Sequence, residues 1–446
     1  MHKEYSPFIL ILAVFVAISG LLFGFDTGTL TGAILFIKKQ FSLSLYQQQF
    51  VVAVALLGGA AGALISGYFA DTYGRKKVLI AALFLFIIGA LTTASAQMLP
   101  RLIFGRLCVG FAIGTFFVTA PIYVSEIAPP KSRGFMVTAI QLFVTIGILA
   151  AFIANYFMAN FDQGWRYMFS IAALVALIQA IALFFFPESP RFLVLNKSSR
   201  KALKVLQKTH DKKTAEIELN KIKKVVTRKK VHIEELFSSK FKLAFTIALL
   251  LNIFQQITGI NAIIYYAPTL FQMSGFSNTT TALLATMGLG IVNFLMTFVA
   301  IFLVDKVGRK PILDTGLALM AFAMFGMGIS FYFHKIPSIH ILLFIFTLLF
   351  VGAFALSMGP MTWLISSEIL PTSMRGKAMS LVTTANWIFN FIVSSTFLTL
   401  AHSMGPTITF VIFGFISIIG LLFFHKAVPE TRNKVLEDIK TPKIHL

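Results

Sequence analysis

Apolar runs of about twenty residues, separated by short polar breaks, recur from one end of the chain to the other. A helix rises 1.5 Å per residue, so about twenty apolar residues reach across the hydrocarbon core of a bilayer. The pattern predicts twelve spans, at roughly 8–37, 50–70, 78–98, 101–124, 135–158, 167–187, 243–268, 281–304, 312–333, 340–364, 377–400 and 406–425. A lysine-rich polar stretch divides them six and six. The expected organisation is an N-terminal six-helix bundle over 1–187 and a basic loop with short helices over 188–242. A second six-helix bundle over 243–425 and a tail over 426–446 complete it. Within the loop, RKALKVLQK and TAEIELNKIKKVV place apolar residues at helical spacing. The first run is too long and too polar inside to be a cleaved signal peptide.

Composition sharpens this picture. Of 446 residues, 57% are hydrophobic and only 12% charged, with 49 Phe. So few charges cannot cover the surface of a soluble protein of this size. The fold class is therefore an all-α integral membrane protein. The net charge of +21 does not point to nucleic acid, because 16 of the 38 Lys and Arg fall within 188–242. Further basic clusters occur at 75–77, 131–133, 306–310, 375–377 and 426–434, whereas loops such as 269–280 and 401–405 carry almost none. This asymmetry places both termini and the central loop in the cytoplasm, with Lys38 and Lys39 as a local exception. A basic loop there also suits anionic lipid. The single Cys108 cannot form an internal disulfide. No Cys/His cluster, nucleotide motif or intramembrane nucleophile constellation stands out, so neither a metal, a cofactor nor an enzyme is expected.

The two halves repeat. DTYGRKK (71–77) answers DKVGRK (305–310), and SEIAPPKSRG (125–134) answers SEILPTSMRG (367–376). PESPR (187–191) answers PETR (429–432), and the last two pairs share an offset of 242 residues. Repeats of this kind imply two bundles related by an axis along the membrane normal, with a substrate cleft between them.

Chemistry-bearing residues stand out against the apolar background. Asp26 sits near the middle of the first run, among glycines at 20, 24, 28 and 32. A carboxylate at bilayer depth is costly; it is either satisfied structurally or used, and one held away from water can trade a proton near neutral pH. Arg106, about one turn inside the fourth span, is its candidate partner. QQITGIN supplies Gln255, Gln256 and Asn261, with Gly259 between them able to bend or unwind the helix. Amides donate and accept together, which suits a ligand rich in hydroxyls; the alternative is interhelical packing by hydrogen bonds. Gln141, Asn293 and Asn386 are isolated amides in other spans. Trp363 follows Gly359-Pro360, where a proline can kink a span, and its indole offers a flat apolar face and one donor.

Together GYFADTYGRKK, PIYVSEIAPPKSRG, PESPR, QQITGINAIIYY, GPMTWLISSEILPTSMRG and VPETR, in order over nearly the whole chain, resemble the sugar porter family of the major facilitator superfamily. The chain looks closest to bacterial proton–sugar symporters. The resemblance implies the major facilitator fold and monosaccharide import with a proton by alternating access. The substrate would be a hexose or pentose, glucose or xylose favoured, and the setting a multi-pass protein of a bacterial inner membrane, acting as a monomer. It makes Asp26 the proton site, faced by Arg106. It makes Gln141, Gln255, Gln256, Asn261, Asn293, Trp363 and Asn386 sugar contacts, with Trp387 behind them and Tyr265 and Tyr266 near an outer gate. It also joins Asp71, Arg75, Glu126 and Arg133 with Asp305, Arg309, Glu368 and Arg375 in an ion-pair network between the halves that closes the cytoplasmic side and must break to open inward. The rival functions are a facilitator, against which Asp26 argues, and a transporter-like sugar sensor, against which the short tail argues.

Overall fold

The structure is a computed structural model describing residues 7–127, 133–161, 163–208, 212–226, 233–238, 241–276, 278–336, 338–370 and 375–431, without the side chains of 7–17, 125, 133–139, 224–226, 233–234 and 375. The first half contains α1 (Pro7–Gln40), α2 (Leu45–Tyr73), α3 (Arg75–Ala94), α4 (Leu99–Ile127), α5 (Arg133–Met158) and α6 (Gly164–Phe184). Three short helices follow: α7 (Pro190–Leu195), α8 (Ser199–Leu206) and α9 (Lys212–Val226). The second half contains α10 (Lys242–Ile257), α11 (Ile260–Met273), α12 (Thr279–Val307), α13 (Arg309–Tyr332), α14 (Ile339–Leu356), α15 (Met358–Ile369), α16 (Arg375–Ser403) and α17 (Pro406–Ala427). Counting α10–α11 and α14–α15 as one span each, twelve spans among the described residues are long and apolar enough to cross a membrane. The protein is a multi-pass membrane protein of two six-span halves.

The chain marks its own helix ends. Ser44 and Gln47 form a reciprocal capping box at the start of α2, and the Asn278 side chain accepts from the Thr281 N–H at the start of α12. Gly74 and Gly308 occupy the matching α2–α3 and α12–α13 corners at φ +100° and +108°, a region that glycine enters without penalty.

Inside lipid, water cannot drive helices together, so association depends on close packing. The glycine series of α1 supplies it: Gly20, Gly24 and Gly28 lie against the Ile140, Val144 and Ile148 backbone of α5. Gly58 and Gly62 of α2 and Gly110 and Gly114 of α4 interlock in the same way. The basic loop carries the three short helices α7, α8 and α9. Their apolar faces close a small core of Val194, Ala202, Leu206, Ala215 and Leu219, with the lysines turned outward.

Candidate functional site

Two spans are broken at mid-depth. Between α10 and α11 the break falls at Gly259, φ +92°, which ends α10 in the left-handed conformation. Between α14 and α15 it falls at Ser357, upstream of the proline expected to cause it. A proline ring conflicts with the carbonyl four residues back, here Leu356, the last residue of α14, so the helix parts just after it. Interrupted helices leave backbone groups free at the bundle centre, a common way to build a binding site in a transporter.

The Gln255 side chain occupies that seam. Its Nε2 donates to the Met358 and Gly359 carbonyls at 3.0 and 3.2 Å, tying α10 to the start of α15. Its Oε1 accepts from Gln256 at 3.3 Å and Asn386 at 2.8 Å. Gln256 Nε2 also donates to Asn386 Oδ1 at 3.0 Å, and Gln256 Oε1 accepts from Asn261 at 2.7 Å. The break at Gly259 is what lets Asn261, five residues after Gln256, reach back to this cluster.

These amides line one face of a cavity between the halves that offers about 90 Å³ to the centres of water-sized molecules. Gln141, Asn293 and Trp363 line it as well, so all seven residues expected to contact sugar meet in one place. Six of them divide into two kinds, and Asn261 stands between, with one bond to Gln256. Gln255, Gln256 and Asn386 spend most of their hydrogen-bonding capacity on one another. Gln141, Asn293 and Trp363 face the cavity without a side-chain hydrogen bond to any described residue. Asn390, Thr27 and Thr145 also line the cavity, and the sequence reading missed them. Asn390 was findable, since it lies four residues after Asn386 and on the same face of α16.

Asp26 and Arg106 form a bidentate ion pair, Nη1–Oδ1 2.5 Å and Nη2–Oδ2 3.1 Å, with Asp26 3% and Arg106 2% exposed. The guanidinium also lies 5.6 Å from the Phe169 ring centre. Beside the pair is a pocket of about 10 Å³, room for about one water. Phe23, Thr27 and Trp387 line both this pocket and the large cavity. Trp387 therefore stands in the wall between them and not behind the site. Phe23 and Phe117 meet its ring edge-on at 5.5 and 5.8 Å. Tyr265 lines the small pocket, whereas Tyr266 donates to the Ser394 carbonyl at 2.8 Å within its own half.

The repeated charged motifs form two similar clusters. Arg75 pairs with Asp71 at 2.8 Å and Glu126 at 3.0 Å; Arg309 pairs with Asp305 at 3.3 Å and Glu368 at 3.1 Å. Ser189 donates to Glu126 and Thr431 to Glu368. Burial pushes the Glu126 carboxyl above the usual carboxylate range, against the opposing pull of Arg75. In this structure the described ion pairs of Arg75 and Arg309 lie within their own halves. The side chains of Arg133 and Arg375 lie outside the described residues. Two further acids complete the clusters. Glu188 accepts from the Lys76 N–H at 3.1 Å, and Glu430 from the Arg309 and Lys310 N–H groups at 3.1 Å. A carboxylate at a helix N-terminus satisfies otherwise unpaired donors and the helix dipole. The sequence showed these acids only as markers of the repeat.

Hydrogen bonds join the halves at the end opposite these clusters, and nearer to them Ser380 of α16 donates to the Ala63 carbonyl of α2 at 3.2 Å. Gln49 Nε2 donates to Thr399 Oγ1 at 2.7 Å, the Thr399 N–H returns to Gln49 Oε1 at 3.2 Å, and Thr31 donates to the Ile264 carbonyl at 3.2 Å.

A family described as "Sugar (and other) transporter" matches residues 12–442. The chain is 37% identical to the galactose-proton symporter of Escherichia coli K12, covering 98% of this chain and 94% of that protein. It is 37% identical to the D-xylose transporter of Levilactobacillus brevis, covering 96% and 94%. Among solved structures, the partially occluded inward-open xylose transporter XylE from E. coli superposes with a TM-score of 0.84 at 30% identity, covering 96% of this chain and 99% of that one. The proton:xylose symporter XylE bound to 6-bromo-6-deoxy-D-glucose gives 0.82 at 31%, covering 97% and 98%.

Proposed function

The chain belongs to the sugar transporter family, and from that premise we propose that it imports a monosaccharide together with a proton by alternating access. The observation that carries this reading is the buried Asp26–Arg106 pair beside a cavity lined with amides, with one aromatic wall shared between them. The sugar, a hexose or pentose, binds in the cavity. Gln141, Asn293 and Trp363 offer it unspent donors, acceptors and an aromatic face, while Gln256, Asn261 and Asn386 present the edge of their network. Asp26 carries the proton, and Arg106 fixes the carboxylate when it is ionised. Protonation removes the charge that holds the guanidinium, so the pair loosens and the packing around Phe23 and Trp387 can change with it. The clusters of Arg75 and Arg309 pair within their own halves here, and their charges re-pair across the halves when the basic side closes.

The basic motifs, the central loop and both termini lie in the cytoplasm of a bacterial inner-membrane protein that works as a monomer. The test is uptake of labelled sugars into proteoliposomes with and without an inward proton gradient. Gradient-driven accumulation above equilibrium supports symport. Equilibration that ignores the gradient makes the protein a facilitator. No saturable uptake of any hexose or pentose removes the sugar reading.

A further inference from the structure

Gln49 is an amide at the lipid-crossing boundary of α2 that takes no part in the cavity, yet it is 1% exposed. Both of its side-chain contacts cross to the other half: Nε2 to Thr399 Oγ1 at 2.7 Å and Oε1 from the Thr399 N–H at 3.2 Å. Thr31, the neighbouring cross-half contact, also has the Thr27 carbonyl of its own helix in reach at 3.0 Å. It can therefore satisfy itself when the halves part. Gln49 has no such contact within its own half among the described residues.

We infer that Gln49 and Thr399 form a polar latch that holds the outer face shut and sets the resting balance between inward- and outward-facing states. The role rests on the alternating-access reading but not on the identity of the cargo. Parting α2 from α16 lets water reach both groups, so two protein hydrogen bonds are replaced by bonds to water. Such an exchange is nearly balanced, so the latch biases the equilibrium a few-fold and does not lock it. Removing only one partner is different. With Thr399→Val the shape is kept, but the Gln49 N–H group is left buried without an acceptor while the face is shut. That penalty disappears on opening, so the variant favours the open state. Removing Gln49 as well deletes the stranded donor, and the valine then costs nothing further.

The experiment places spin labels at Tyr46→Cys on α2 and Met404→Cys after α16, both exposed at the outer end, in a Cys108→Ser background, and measures their distance distribution in lipid nanodiscs without sugar. Thr399→Val is expected to raise the long-distance population about three- to fivefold, and Gln49→Ala to raise it less. The double variant is expected to resemble Gln49→Ala, since the two substitutions are coupled. Unchanged distributions in both single variants overturn the latch, and so do strictly additive shifts. Counterflow with labelled sugar on the same preparations keeps the two readings apart. Lost sugar exchange in the unsubstituted protein sinks the sugar assignment without touching the latch, and an unmoved distance distribution sinks the latch without touching sugar transport.

Discussion

Replacing Asp26 by asparagine separates the carboxylate's charge from its shape. The ion pair is bidentate and both members are almost wholly buried. Deleting one charge of a buried pair costs about 3–5 kcal/mol when nothing replaces it. Asparagine keeps one acceptor for the Arg106 guanidinium, so about 3 kcal/mol is expected, visible as a lower melting temperature in detergent. The coupling effect has its own scale. Each pH unit across the membrane holds about 1.4 kcal/mol per proton, so one proton per sugar sustains about tenfold accumulation per unit. At a gradient of two units the unsubstituted protein is expected to approach about a hundredfold, and Asp26→Asn to stop at about one. Adding Arg106→Gln removes the stranded charge, so the double variant is expected to recover stability but not coupling. The assay is labelled sugar in proteoliposomes alongside thermal melts of the same samples. Accumulation by Asp26→Asn equal to that of the unsubstituted protein would refute the reasoning, because the proton would then travel on another group.

The amide network predicts a split. Gln255→Ala, which unties α10 from the Met358 and Gly359 carbonyls, is expected to lower both maximal exchange rate and melting temperature. Gln141→Ala is expected to raise the half-saturating sugar concentration about fivefold and leave the melt unchanged; the reverse pattern assigns their roles the other way round. Gly110→Ala places a Cβ against the Ala55 carbonyl and is expected to cost about 2–3 kcal/mol, read by detergent melts against a lipid-facing alanine control. For Glu126, burial raises the folded-state value, so its contribution to stability is full below the ordinary glutamate value of about 4.3 and fades as pH rises through the raised one. Glu126→Gln is expected to flatten that part of the stability–pH curve, and an unaltered slope counts against it.

Much of this was legible in the sequence because it obeys one-dimensional rules. Span number follows from runs of apolar residues, and the two-bundle organisation from motifs such as SEIAPPKSRG and SEILPTSMRG at a fixed offset. Asp26 and the QQITGIN amides drew attention because polar groups at bilayer depth are conspicuous. Gly259 suggested a break, and the helix breaks there. Asn390 was missed although helical spacing pointed to it. Glu188 and Glu430 were seen but not understood, because a carboxylate that caps a helix more than a hundred residues away leaves no local signal.

What the sequence determined by itself is the membrane-spanning class, the duplicated architecture and the inventory of polar groups available at mid-depth, since each follows from residue type and spacing. Only the tertiary structure decided which of those groups meet. It put Asp26 against Arg106 across 80 residues and turned three amides inward on one another while leaving Gln141 and Trp363 facing the cavity. It also kept Arg75 and Arg309 within their own halves and joined Gln49 to Thr399 at the far end. These partnerships depend on helix rotation and depth, which side-by-side packing sets, and no periodicity along the chain records the distance between two helices that fold side by side.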